Sequence, residues 1–140
     1  MENLSELIAF AENKLKYSYS KYSGIRVVAV LLTNDGSIYY GVNIENASYG
    51  LTICAERVAI FKAVSEGKTS FSKMLIYSPD TIPWPCGACR QVMSEFFSED
   101  TEIIVVTRSK NGFKIRRLTF GELFPKEYQF TLSSSKENNL

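Results

Sequence analysis

The chain has 140 residues, 45% of them hydrophobic, with sixteen basic and fifteen acidic side chains and a net charge of +1. That length suits one domain with a real core, and the balanced charge excludes the electrostatic footprint of a nucleic-acid binder. No stretch of about 18 apolar residues and no secretory layout at the N-terminus is present, so the expectation is a cytoplasmic protein with no membrane partner.

Leu4, Leu7, Ile8, Ala11 and Leu15 recur at helical spacing and predict a first helix, capped by Asn3 with Glu6 three residues on. Val27 to Leu32 is an unbroken apolar run, the pattern of a central strand covered on both faces. Asn34-Asp35-Gly36 is a turn, after which Ile38, Tyr40, Val42 and Ile44 alternate as a returning hairpin strand. A second helix is predicted from Thr52 to Glu66 and ended by Gly67. Ile53, Val58, Ile60, Phe61 and Val64 make it apolar on most faces, so it is expected to be largely buried. Met74 to Tyr77 is a third strand, and Pro79, Pro83 and Pro85 punctuate the loop before a third helix from Cys86 to Phe97. Ile103 to Val106 is a fourth strand, Asn111-Gly112 a hairpin signal, and Phe113 to Arg117 a fifth strand antiparallel to it. Thr119 and Glu122 suit a capping box for a short last helix. Strands separated by helices argue for an α/β fold with helices on the faces of a sheet. Residues 1–130 read as a single domain, and the polar residues 131–140 as a disordered tail.

Two features of composition restrict the chemistry. There is no histidine, which removes Ser-His and Cys-His catalysis and leaves Cys, Asp or Glu for any metal site. There are three cysteines, an odd number that argues against a disulfide scaffold. Cys86 and Cys89 lie three residues apart in the first turn of a predicted helix, which puts both sulfurs on one face beside the positive end of the helix dipole. Alone, this C-x-x-C spacing also fits a redox dithiol. Cys54, at the start of another predicted helix, supplies a third thiolate and favours zinc, with three protein ligands and an open fourth position as in a catalytic site. Three thiolates and one Zn2+ sum to a charge of −1, which weakens the metal as a Lewis acid. Two helix N-termini and Arg57 are placed to offset that charge by donating to the sulfurs. Glu56, two residues past Cys54, is the candidate proton carrier over the open position, although a first-turn Glu is otherwise an ordinary response to the helix dipole.

Cys54-Ala55-Glu56 with Pro85-Cys86-x-x-Cys89 resembles the zinc nucleoside and nucleobase deaminases, whose signature includes a three-cysteine variant and a Glu that is not a ligand. The segment from Asn43 to Arg57, continued by Phe61 to Gly67, is similar to the small homotetrameric cytidine deaminases, and the similarity runs from about Tyr19 to Tyr128. The resemblance implies a three-layer α-β-α sandwich around a mixed five-stranded sheet, Zn2+ held by Cys54, Cys86 and Cys89, and a homotetramer with shared sites. It implies hydrolytic deamination of cytidine and 2′-deoxycytidine, with activated water attacking C4 while Glu56 protonates N3 and then the departing amino group. Asn43 and Glu45 match residues that bind the ribose 3′-hydroxyl, and a polar pair there is expected to take its partners from the sugar. Ala47 and Tyr49 match positions reaching a neighbouring subunit's site, and Tyr128 an aromatic that closes the base pocket from another subunit. Two departures bear on the base pocket: Ile25-Arg26 stands where the family has Phe-Pro, and Trp84 where a small residue is usual. They leave room for a deaminase of a modified cytosine compound such as blasticidin S. A non-catalytic zinc-stabilised binding module is the alternative of another class.

Overall fold

The structure, a computed structural model, describes residues 3–131. Its elements in chain order are α1 (Leu4–Lys14), β1 (Val28–Thr33), β2 (Ile38–Val42), α2 (Ala55–Ser65), β3 (Phe71–Ser78), α3 (Gly87–Phe96), β4 (Glu102–Ser109), β5 (Gly112–Thr119) and α4 (Phe120–Leu123). The expected tail at 131–140 lies, apart from Thr131, outside the described residues.

The strands form one mixed five-stranded sheet in the order β2-β1-β3-β4-β5. β1 is antiparallel to both β2 and β3, β3 and β4 are parallel, and β5 returns antiparallel to β4. Alternating side chains of the central strands feed two cores. Val28, Val30, Leu75, Tyr77, Ile104 and Val106 pack under Leu7, Ile8 and Ala11 of α1. Ala29, Leu31, Met74, Ile76, Ile103 and Val105 pack against Ala59, Ile60 and Ala63 of α2, Met93 of α3, and Phe120 and Leu123 of α4. This is the expected three-layer α-β-α architecture. β1 is buried at all six positions, as its unbroken apolar run requires. The edge strand β5 is mostly exposed and carries Lys114, Arg116 and Arg117, charges that discourage edge pairing.

The local signals act where the sequence places them. Asn3 Oδ1 accepts from the Glu6 N–H at 2.8 Å, Gly67 stands just past α2 at φ +85°, and Thr119 with Glu122 closes a capping box on α4. α2 departs from expectation at its start. It begins at Ala55, not Thr52, because Ile53 pairs as an isolated antiparallel bridge with Ile44 and holds that stretch extended. α3 begins at Gly87 with Cys86 as its cap, at the place expected. Nor is α2 buried all round: Phe61 is 48% exposed, beside Ile44 at 46% and Leu51 at 66%.

The register brings three chain segments to one edge of the sheet. Val28 at the start of β1 lies opposite Val42 near the end of β2 and opposite Tyr77 near the end of β3. The loops before β1, after β2 and after β3 therefore meet, and the last two lead into the N-termini of α2 and α3. Ligands of open α/β sheets gather at such carboxyl ends.

One close approach seats α2 against β2. A Cβ on Gly41 would lie 2.3 Å from the Ala55 carbonyl oxygen and 2.5 Å from the Ala59 nitrogen, both backbone atoms with nowhere to go. Gly41→Ala is accordingly expected to cost about 3 kcal/mol in denaturant unfolding, the upper end for overpacking. A near-neutral result would show that α2 does not rest on this contact.

Candidate active site

The three cysteines come together at the sheet edge. Cys54 is the N-cap of α2 and Cys86 the N-cap of α3, with Cys89 in the first turn of α3. Their sulfurs all lie within 4.8 Å of one another, and Cys54 Sγ is 3.9 Å from Cys86 Sγ. Four tetrahedral ligands about 2.3 Å from zinc stand roughly 3.8 Å apart, so the spacing fits zinc closely. The caps explain why sulfur is available. A Ser or Asp cap turns its oxygen onto the helix N–H groups, whereas Cys54 makes no such bond and Cys86 Sγ accepts one long contact from the Cys89 N–H at 3.5 Å.

Charge at the site favours the thiolate at Cys54. A hydrogen bond from the Cys89 thiol, reinforced by Arg57, lowers Cys54 to about 5, while the same bond and burial raise Cys89. Arg57 Nη2 lies 3.5 Å from Cys54 Sγ, as a sulfur donor should. Its Nε is buried without a partner, and no carboxylate pairs with it among the described residues. The guanidinium charge is thus available to the sulfurs.

Glu56, the second residue of α2, is 4% exposed. Burial pushes it up to about 7, helped by the nearby Cys54 charge and opposed by its own backbone N–H and Arg57. It lines a cavity of about 410 Å³ with Ile25, Val27, Asn43, Glu45, Thr52, Cys54, Ile82, Trp84 and Cys86 among its walls. A carboxyl group, a metal-ligand cluster and a pocket of small-ligand size share one opening.

A family model described as the cytidine and deoxycytidylate deaminase zinc-binding region matches residues 1–107, a span that holds all three cysteines and Glu56. The chain belongs to that family. It is 48% identical over 115 residues to a probable cytidine deaminase of Dictyostelium discoideum, covering 81% of this chain and 77% of that protein. The solved cytidine deaminase from Burkholderia pseudomallei superposes with a TM-score of 0.82 at 36% identity, over 90% of this chain and 99% of that one. The blasticidin-S deaminase of Bacillus cereus is a more distant relative, 31% identical over 132 residues, 88% of this chain and 90% of that one. As a deaminase of this family the chain uses zinc, and the cysteine triad is where its donor atoms converge.

The remaining residues singled out in the sequence divide into three groups. Ile25 and Trp84 both line the cavity, so the two departures from the deaminase pattern face the same space. Ala47, Tyr49 and Tyr128 do not line it. All three are exposed, Tyr49 at 70% and Tyr128 at 68%; Tyr49 lies edge-on to Tyr22, and the Tyr128 carbonyl accepts from Gln91.

Asn43 and Glu45 line the cavity, and both also have hydrogen-bond partners within the chain. Asn43 Oδ1 accepts from the Ser18 hydroxyl and from the Val27 N–H at 3.0 Å, and its Nδ2 donates to the Ile25 carbonyl at 2.7 Å. Glu45 accepts from the Tyr22 and Ser23 N–H groups at 2.9 and 3.0 Å and from the Ser23 hydroxyl. Together they hold the loop ahead of β1 that carries Ile25. Ser23 and Ser18, which make these bonds, carried no local signal beyond their polarity. Asn43→Ala therefore strips partners from the Val27 N–H and the Ile25 carbonyl. It is expected to lower unfolding stability by roughly 1–3 kcal/mol besides raising KM. A raised KM with unchanged stability would reduce Asn43 to a ligand contact alone.

Proposed function

We propose that the chain hydrolyses cytidine and 2′-deoxycytidine to uridine and 2′-deoxyuridine with release of ammonia. The observation that carries this is the buried Glu56 sharing a cavity with Cys54 and Cys86, two sulfurs of the triad that Cys89 completes. Zinc, when bound, supplies Lewis acidity that makes a coordinated water easier to ionise. Glu56 takes a proton from the water attacking C4 and delivers it to N3. It then moves the second proton to the amino group, which leaves as ammonia while the ring keeps the oxygen. Arg57 and the two helix N-termini draw charge from the sulfurs, so that a triply anionic ligand set does not quench the metal. Ile25 and Trp84 flank the base, and Asn43 and Glu45 hold the loop against which the sugar rests while keeping spare acceptor and donor capacity for its hydroxyls.

Assembly as a homotetramer with shared sites accompanies this reading. Its support is the apolar hollow between Ile44, Leu51, Ile53 and Phe61, together with the exposed Tyr49 and Tyr128. Free thiols this close remain ligands only where the surroundings are reducing, which supports a cytoplasmic place in pyrimidine salvage. A single domain over residues 1–130 fits the continuous sheet, to which every described helix longer than one turn is packed or linked.

Ultraviolet assays on cytidine, deoxycytidine and blasticidin S test the substrate. Turnover of blasticidin S alone would overturn the nucleoside assignment. Glu56→Gln, measured beside them, is expected to keep its zinc and lose activity by about 10²–10⁴-fold. Full activity in that variant would contradict the proton route.

A further inference from the structure

Two loops contribute to the wall of the cavity: the one ahead of β1, which carries Ile25, and the one after β3, which carries Ile82, Pro83 and Trp84. Each is anchored at its base. Asn43 and Glu45 grip the first, and the buried Ser78 Oγ accepts from the Asp80 and Thr81 N–H groups at 3.1 and 3.3 Å in the second. Beyond Thr81 the second loop has only a local turn, from the Trp84 N–H to the Ile82 carbonyl at 2.9 Å, until Arg90 Nε takes the Pro85 carbonyl at 2.8 Å.

One residue pair joins the loops. The Arg26 backbone N–H and Nε reach Asp80 Oδ2 at 2.9 and 3.0 Å, and Arg26 Nη2 reaches Asp80 Oδ1 at 2.9 Å. Among the described residues these three are the only hydrogen bonds between the two loops. The two-pronged fork fixes orientation as well as distance. Each partner stabilises the other's charge, Asp80 raising Arg26 and Arg26 lowering Asp80. The side chains are 46% and 26% exposed, so the pair adds little to global stability. What it does is tie the two loops to each other. Arg26 is next to Ile25, and Asp80 opens the loop that runs to Trp84.

We propose that Arg26 and Asp80 are positioning residues that set the gap between Ile25 and Trp84, and with it the affinity of the cavity for a cytosine ring. The inference rests on the deaminase reading for its substrate but not for its geometry. Trp84 is the chain's one tryptophan, so the wall reports on itself.

The test uses the full zinc-loaded chain with Arg26→Gln, Asp80→Asn and Arg26→Lys. In the first two variants, with no substrate present, the Trp84 emission is expected to move to longer wavelength and its quenching by acrylamide to rise. KM for cytidine is expected to rise roughly tenfold while kcat stays within about twofold, the pattern of lost placement in the bound state. Arg26→Lys keeps the charge but loses the fork, and is expected to fall between. Unchanged Trp84 emission with unchanged KM in both neutral variants would overturn the proposal. So would a fall in melting temperature accompanied by zinc loss and a parallel drop in kcat, which is what a merely structural pair would give. Because the emission needs no turnover, a chain inactive on cytidine would count against the activity while the Trp84 signal still decides the positioning.

Discussion

The site depends on two helices whose N-caps are cysteines and whose N-termini meet. A helix start leaves N–H groups unpaired and a cap residue in extended backbone, pointing its side chain forward. When that cap is Cys, the side chain is a thiol held beside partial positive charge. The strand register carries Cys54 and Cys86 to the same sheet edge, and the short Cys86-to-Cys89 spacing adds the third sulfur. A shift of one residue in either helix start would swing a sulfur away and dismantle the cluster. The Ile44–Ile53 bridge and the Gly41 contact, far from decorative, are what hold the start of α2 in place.

Charge is the second constraint. An all-thiolate site pays for strong metal binding with a dull Lewis acid. Arg57 counters this from within contact distance of Cys54, and no carboxylate neutralises it first. Glu56 is one residue away on the chain but points into the cavity, where burial raises it to about 7. A carboxyl group near neutrality takes and gives protons with comparable ease, which is what a shuttle between water and a leaving amine requires. Under the proposed function the same few residues serve as ligand, counter-charge and proton carrier, each set apart by its direction from one helix turn.

Much of this was legible in the residues. Periodicity marks α1, an unbroken apolar run marks the buried strand β1, the capping box at Thr119 and Glu122 marks α4, and the absence of histidine leaves three sulfurs as the metal donors. The failures have physical reasons. Thr52 to Cys54 carry helix-compatible residues, yet Ile53 prefers the bridge to Ile44, a tertiary contact that overrides local propensity. The partners of Asn43 within the chain, Ser18, Ile25 and Val27, lie 16 to 25 positions away, beyond the reach of a local pattern. Arg26 is legible only as a charge where the family has proline, since its partner Asp80 is 54 positions on. A glycine in a strand announces a close neighbour, but nothing in its surroundings names α2. Local signals were therefore reliable for caps and turns, and silent about pairings across the fold.

The most direct test of the account is a zinc titration into metal-stripped protein, followed by ammonia release from cytidine. Activity is expected to rise linearly and to break at about one zinc per chain, the stoichiometry of a single site built from three cysteines. Ammonia release that persists without metal, or zinc taken up to that stoichiometry with no ammonia released, would contradict it.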